Sequence, residues 1–253
     1  MTASGSTVYE SAKAVDEYLQ FHFAPEADLA PYVARFVAKE ALEFPKQCAK
    51  ECALASSRRT RALDIGCAVG GSSFEMARYF DEVVGFDFSS AFIKAASDLQ
   101  AKGSCTYEST IEGTIKESRV ARVRHAHHYL PDGLRARRVT CLNGQVADGI
   151  ERSRCKFLVG DACDIPALKL GEFDAVLAAN LLCRLPNPSK FLRDVHDIVR
   201  EGGVLVLVSP FSWLREYTEE SKWIGGFTGQ APTVRTRPHP LYAHSPPYLL
   251  TLQ

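Results

Sequence analysis

The 253-residue chain carries no net charge, because thirty basic side chains are matched by thirty acidic ones. That balance excludes the large positive field used by nucleic-acid binders and polybasic membrane binders. Apolar runs stop well short of the roughly 20 residues needed to span a bilayer, so no membrane partner is expected. The opening stretch MTASGSTVYESAKAV has no basic start followed by an apolar block, so no secretory signal is expected and a cytoplasmic location is. Among eight cysteines no CxxC pair occurs, and Cys48 and Cys52, one helical turn apart, have no partners at metal-ligand spacing. No metal site is expected, and the cysteines read as small, reduced core residues. What is present is 46% hydrophobic and 24% charged residues, the make-up of a globular chain that can hide roughly 70–75% of its unfolded surface.

Residues 1–57 read as an N-terminal helical extension, expected to form a lid over the substrate side. Val15, Tyr18, Leu19 and His22 fall at helical spacing, and a second helix is predicted from about Pro31 to Ala55, kinked or divided at Pro45. Residues 58–229 then alternate strand and helix. RALDIG and EVVGFDF are short buried strands. Ser72 or Ser73 is the expected cap of a helix carrying Phe74, Ala77 and Phe80, and Ser89 that of the next, which stops at Gly103. CKFLVGD, FDAVLAAN and GVLVLVSP are three further strands. A helix from Asn187 and Pro188, carrying Val199, is expected to end at Gly202-Gly203. The fold class is α/β: a mainly parallel sheet flanked by helices, with ligands at the carboxyl ends of its strands.

Two stretches stand apart. Residues 104–150 should add a strand and a helix, yet Arg119 to Arg138 holds six arginines and three histidines against one acid, Asp132, as a solvated insertion or an anion- or partner-binding loop does. Residues 230–253 hold five prolines and no acid, and are expected to be extended or disordered.

The chemistry concentrates in ALDIGCAVGGSSFE, residues 62–75. Glycine after a buried strand lets backbone approach a ligand, and the following helix start is expected to offer free N–H groups. The pattern is Gly66-x-Ala68-x-Gly70, with Asp64 two residues before the first glycine. A carboxylate there repels a pyrophosphate but suits a ligand with an ammonium group, such as S-adenosylmethionine. Asp87 ends the second strand, where it can accept from both ribose hydroxyls. In GDACDIP, Asp161 can accept from an adenine amine while the Ala162 amide donates to a ring nitrogen. Cys67, Phe88 and Ser89 complete these turns. Tyr9, Tyr18, His22, Asn180, Arg184 and Trp213 are candidate orienters of a substrate; Arg184 can pair with a substrate carboxylate or merely cap a strand end. None is assigned a catalytic role.

The blocks YLQFHF, FPKQCAKECA, RALDIGCAVGGSSFEMARYFDEVVGFDFSSAFI, FLVGDACDIPAL, ANLLCRLPNPSKFL and SPFSWLREYT resemble the methyltransferase family of ovothiol biosynthesis, often fused behind an iron-dependent sulfoxide synthase. The glycine-turn block is generic to class I methyltransferases; GDAC followed by ANLLCRLP is more particular. The resemblance implies a Rossmann-like seven-stranded sheet and S-adenosylmethionine as cofactor. It carries cofactor roles onto Asp64, Gly66, Gly70, Asp87, Asp161 and Ala162, and places Asn180 and Leu181 beside the methyl group. It implies N-methylation of a thiol-bearing histidine, 4-mercaptohistidine (5-thiohistidine), with any sulfoxide synthase supplied by a separate chain.

The family closes its sheet with a further helix and an antiparallel hairpin, for which nothing after Phe227 has the period-2 apolar pattern. An apolar exposed sheet edge is therefore expected at GVLVLVSP. Methylation of another small metabolite, a non-catalytic cofactor-binding module and a nucleotide-dependent oxidoreductase are the competing functions.

Overall fold

The computed structural model describes residues 6–24, 43–123, 149–210, 212–227 and 248–252. The elements run α1 (Ala12–Phe23), α2 (Phe44–Ala55), β1 (Arg61–Ile65), α3 (Gly71–Met76), β2 (Glu82–Asp87), α4 (Ser90–Lys102), β3 (Ser104–Glu112), β4 (Ile115–Arg122), β5 (Cys155–Val159), β6 (Phe173–Ala179), α5 (Pro188–His196), β7 (Val199–Ser209) and β8 (Tyr248–Leu252). Six strands form one sheet in the order β5-β2-β1-β6-β7-β8. The first five are parallel; β8 runs antiparallel to β7. The order reverses between β1 and β6, and the carboxyl ends of strands at such a reversal leave a crevice for a ligand.

Successive strand residues face opposite sides of the sheet, so β-rich apolar runs feed two cores at once. Ala62, Val204 and Val206 join Leu19, Phe23, Cys52, Phe74 and Leu99 on one face. Leu63, Ile65, Leu205 and Leu207 join Phe86, Ile165, Phe173 and Phe191 on the other. At the end of the sheet away from the ligand crevice, Asp174 clamps three elements. Its carboxylate accepts from the Thr60 and Arg61 N–H groups at 2.8 and 3.0 Å and from Arg200 Nη1 at 2.6 Å.

Capping follows the expected chemistry at two helices. Ser89 Oγ accepts from the Phe92 N–H at 3.1 Å, and Asn187 Oδ1 from the Lys190 N–H at 3.0 Å with Pro188 in the first turn. Gly103 ends α4 with φ 74°. Elsewhere the structure corrects the sequence. Of the two outcomes expected at Pro45 the structure shows a helix boundary and not a kink: Pro45 stands in the first turn of α2, where it has no intrahelical N–H bond to lose; Pro31 lies outside the described residues. The cap of α3 is left-handed Gly70, since Ser72 and Ser73 are already inside the helix. Helix α5 ends at His196, and Val199 already pairs with Phe173 in β7; Gly202 sits in an irregularity of that strand before Val204 meets Ala175.

Residues 104–122 form an antiparallel β3-β4 hairpin, separate from the main sheet, so the one strand expected in 104–150 is joined by a second; residues 124–148 of that stretch, where the expected helix could fall, lie outside the described residues. The arginines and histidines from 124 to 138 lie outside the described residues. The largest correction is at the far edge. Tyr248–Leu252, in the tail expected to be unstructured, pairs with β7 from Ser209↔Tyr248 to Leu205↔Leu252. The edge of β7 is covered, and the sheet has six strands among the described residues. Among them, too, no helix is long and apolar enough to cross a membrane.

Candidate functional site

After β1 the chain turns sharply into α3. Gly66, Ala68 and Gly70 are left-handed, with φ 74°, 47° and 86°. Glycine takes this conformation freely, but alanine pays about 1–2 kcal/mol for it. The Ala68 N–H donates to Asp87 Oδ2 at 2.9 Å, a charge-assisted bond that offsets the strain. Gly66 also lets the loop after β6 close in, since a Cβ there would lie 3.3 Å from Leu181 Cδ1.

The amides of this turn are already spent. Gly66 and Cys67 donate to the Phe86 carbonyl at 2.8 and 3.1 Å, Gly70 to the Cys67 carbonyl at 2.9 Å, and Gly71 to His22 Nδ1 at 3.2 Å. With Ala68 bound to Asp87, five N–H groups are satisfied by the protein itself. The expectation of free donors at the helix start is overturned for these five. No such bond holds the Ser72 N–H, and Ser72 lines the cavity, so the first turn of α3 keeps a donor for a ligand as expected.

Asp64 is buried beside the turn, accepting from Ser73 Oγ at 2.6 Å. Burial pushes its pKa up to about 7; the Ser73 hydroxyl opposes the rise and the Asp87 charge adds to it. Asp87 stands at the end of β2, its Oδ1 accepting from the Ser89 N–H at 2.9 Å. Asp161, after β5, accepts from the Cys163 N–H at 2.8 Å, and the neighbouring Gly160 N–H donates to the Asp87 carbonyl at 2.9 Å. The three acids thus sit on adjoining strands β5, β2 and β1.

A cavity of about 450 Å³ opens above these strand ends. It brings together Asp64, Gly66, Cys67, Ala68, Asp87, Phe88, Asp161, Ala162, Asn180 and Leu181 with the substrate-side candidates Tyr9, Tyr18, His22 and Arg184. Asn180 is itself left-handed, at φ 55°, with its N–H bound to the Val208 carbonyl at 2.6 Å. Three singled-out residues are not in the wall. Gly70 shapes the turn from behind. Ser89 caps α4 and donates to the Tyr9 carbonyl at 2.9 Å. Trp213 stacks on Trp223 with ring centroids 6.3 Å apart, so it is a packing residue and not a ligand platform.

The N-terminal segment is fastened over this cavity. Glu10 accepts from the Ser90 and Ala91 N–H groups at the start of α4, at 2.8 and 3.2 Å, where a carboxylate meets the positive helix end. Tyr18 packs on Phe92 with centroids 4.7 Å apart, and Tyr9 meets Tyr18 edge-on at 6.1 Å. Buried His22 has its pKa pushed down to about 4 by desolvation, so it is neutral at pH 7. Because Nδ1 accepts from Gly71, the ring proton is on Nε2.

That contact is close enough to test. A Cβ at Gly71 would strike the His22 ring. Gly71→Ala is expected to lower Tm by roughly 2–12 °C, as overpacking of about 1–3 kcal/mol does in a chain of this size. His22→Ala in the same chain should recover part of the loss. A Tm unchanged by Gly71→Ala would show that the ring yields freely.

A profile of the methyltransferase domain family matches residues 27–236. The chain belongs to that family. Ajmaline N-methyltransferase of Rauvolfia serpentina is 24% identical over 148 residues, 58% of this chain and 35% of the relative. The chain therefore spans about a third of the length of that curated relative. Among solved structures, the [4+2]-cyclase SpnF aligns over 81% of this chain and 58% of its own, at 15% identity and TM-score 0.48. Magnesium protoporphyrin IX methyltransferase from Synechocystis PCC 6803, with bound SAH, aligns over 80% and 69%, at 13% identity and TM-score 0.47.

In this methyltransferase domain the sequence left several wall residues unmarked. Tyr217 lines the cavity, and the Arg184 guanidinium lies 5.0 Å from its ring centroid. Glu17 and Phe21 come from α1, Phe44 and Pro45 from the start of α2. The first two share a helix with Tyr18 and His22, and their spacing could have placed them on one face. Tyr217 carried no such signal, because only the fold returns it to Arg184.

Proposed function

We propose that this methyltransferase transfers a methyl group from S-adenosylmethionine to an imidazole nitrogen of 4-mercaptohistidine, the ovothiol-forming reaction. The observation that carries the cofactor is the amide accounting of the glycine turn. Five of its donors are bound by the protein itself, which disfavours a close pyrophosphate cradle, and the buried Asp64 suits a ligand with an ammonium group. These residues fit S-adenosylmethionine and disfavour a dinucleotide. When bound, the cofactor supplies a methyl already activated on a sulfonium. In this reading Asp87 accepts from the ribose hydroxyls, Asp161 from the adenine amine, and Asn180 and Leu181 border the reacting side.

The protein's remaining task is alignment, which contributes on the order of 7–11 kcal/mol when reacting atoms are held in line. Tyr9, Tyr18 and Phe92 supply a cluster of mutually inclined aromatic rings on the substrate side, and the fastened N-terminal segment covers it. His22 is not a base in this arrangement: Nδ1 is committed to Gly71, and Nε2 can only donate. It serves as a donor to the substrate ring or thiolate, and the methylated ring, formed as its imidazolium, loses its proton to solvent once the product leaves the cavity. The support for the thiol-histidine is the family resemblance of the blocks around GDAC and ANLLCRLP, together with a cavity that leaves room for a small aromatic substrate. Mass spectrometry after incubation with 4-mercaptohistidine and labelled cofactor should show one added methyl on a ring nitrogen. Methyl transfer to other small imidazoles or amines, with none to this one, would move the assignment to another metabolite.

Asp64 makes the cofactor reading pH-dependent. With its pKa raised to about 7, the carboxyl is charged only above neutrality. Affinity for S-adenosylhomocysteine should rise from about pH 6 to about pH 8, and Asp64→Asn should flatten that rise. The linked effect on folding has the opposite sense: the native state keeps the proton longer than the unfolded chain. The group's contribution is therefore complete at low pH and is lost as pH climbs from the ordinary carboxylate value through about 7. A pH-independent affinity in the wild type would remove Asp64 from contact with the ligand's charge.

A further inference from the structure

The cavity is electrically divided. Its three strand-end acids lie over β5, β2 and β1, whereas Arg184 lies in the short turn after β6, on the other side of the point where strand order reverses. Arg184 Nη1 donates to the Ser212 carbonyl, just after β7, at 3.4 Å, and to the Cys183 carbonyl and sulfur at 3.4 and 3.5 Å. These are long contacts to neutral acceptors, and among the described residues no carboxylate pairs with this guanidinium. A fork of five N–H donors in a cavity wall, so weakly engaged, is matched to a planar anion.

The surroundings fix its aim. The guanidinium lies over the Tyr217 ring, 5.0 Å from its centroid, and Tyr9 and Tyr217 line the same cavity. The Tyr217 ring lies against the guanidinium, while Ser212 and Cys183 hold one end. Tyr9 comes from the N-terminal segment latched to α4, so an anion in the fork would meet donors from two separate parts of the chain. Burial first of all pushes the Tyr9 phenol up to about 12, so it remains a neutral donor across the physiological range.

We propose that Arg184, with the hydroxyls of Tyr9 and Tyr217, is the anchor for a carboxylate on the methyl-accepting substrate and selects carboxylate-bearing acceptors over their neutral counterparts. The assignment rests on the cavity being a methyl-transfer site, but not on the acceptor being 4-mercaptohistidine. A substrate carboxylate belongs on this side because the opposite side already carries three acids. Held at the β6-β7 end, it fixes the distance from the anchor to the ring that faces Asn180.

Calorimetry on the full chain loaded with S-adenosylhomocysteine tests this with two matched pairs: 4-mercaptohistidine and its primary amide, and 3-(imidazol-4-yl)propanoate and its primary amide. The wild type should bind each carboxylate about ten- to hundredfold tighter than its amide, the range for a charge-assisted pair. Arg184→Gln should erase that preference while leaving the affinity for S-adenosylhomocysteine within about twofold. Arg184→Lys, which keeps charge but loses the fork, and Tyr9→Phe, which keeps the fork but loses a donor, should each reduce it partly. These two variants also serve if Arg184→Gln does not fold. Equal binding of acid and amide by the wild type overturns the proposal, as does a preference that survives Arg184→Gln. A tenfold loss of S-adenosylhomocysteine affinity in Arg184→Gln also overturns it, because the arginine would then hold the cofactor's own carboxylate. A retained acid preference without methyl transfer to 4-mercaptohistidine leaves the anchor in place and refutes only the thiol-histidine as acceptor.

Discussion

Replacing Asp87 by alanine is expected to weaken S-adenosylhomocysteine binding by about one to two orders of magnitude, the loss of roughly 1.5–3 kcal/mol from hydrogen bonds to a charged group. Two effects combine. The carboxylate would no longer be available to the ribose hydroxyls. It would also release the Ala68 and Ser89 N–H groups, each held at 2.9 Å, and with them the restraint on the left-handed alanine of the glycine turn. Asp87→Asn keeps one acceptor oxygen and should fall between the two. Calorimetry at fixed pH reads the difference directly. An affinity unchanged by the alanine variant would place the ribose elsewhere.

The largest expected effect on stability is at Phe74. Its side chain is wholly buried, with Phe23 of α1 6.3 Å away on one side and Phe157 of β5 5.2 Å away on the other, both edge-on. The ring therefore ties the N-terminal helix to the sheet, and it also backs Gly70, where an added Cβ would lie 3.1 Å from Phe74 Cε2. Phe74→Ala should cost about 3–5 kcal/mol and lower Tm by roughly 6–20 °C. Phe74→Leu keeps most of the volume and should cost far less. A small change in the alanine variant, measured by thermal or urea unfolding, would mean that the core collapses into the gap. The same packing alters the view of α1. Leu19 and Phe23 are core residues while Tyr18 and His22 face the cavity, so removing the helix would damage the fold as well as the site.

The parts that the sequence made legible are those coded by neighbours in the chain. RALDIG, EVVGFDF and GVLVLVSP are mostly apolar because a parallel strand is covered on both faces, and Ser89, Gly103 and Asn187 punctuate the helices beside them. The strand ends then place Asp64, Asp87 and Asp161 on adjacent strands with no further information. The hairpin β3-β4 escaped because little of it faces the core: Tyr107 and Ala121 are buried there, while Ile111 and Ile115 are exposed. With so few inward apolar residues, its alternation is masked by Glu, Ser, Thr and Arg. The fate of the turn amides was also illegible. Whether Gly71 donates to a ligand or to His22 depends on where α1 docks, and helical periodicity alone does not say. Trp213 and Tyr217 were confused for a similar reason. Both follow β7 in a segment without period, and only tertiary packing decides which one faces the cavity.

The pairing of β7 with β8 has a consequence in time. Ser209 must wait for Tyr248, and Leu205 for Leu252, so the outer edge of the sheet is closed by the most delayed contact of the described strands. The delay comes from the order of synthesis and not from loop closure, since the pairing of β1 with β6 joins residues farther apart in the chain, such as Ala62 and Ala175. During synthesis, at about 5–20 residues per second, an apolar strand edge stands open for seconds after the rest of the parallel sheet can assemble. The hazard of edge-to-edge association thus belongs to the growing chain, and is removed at this edge once β8 is in place.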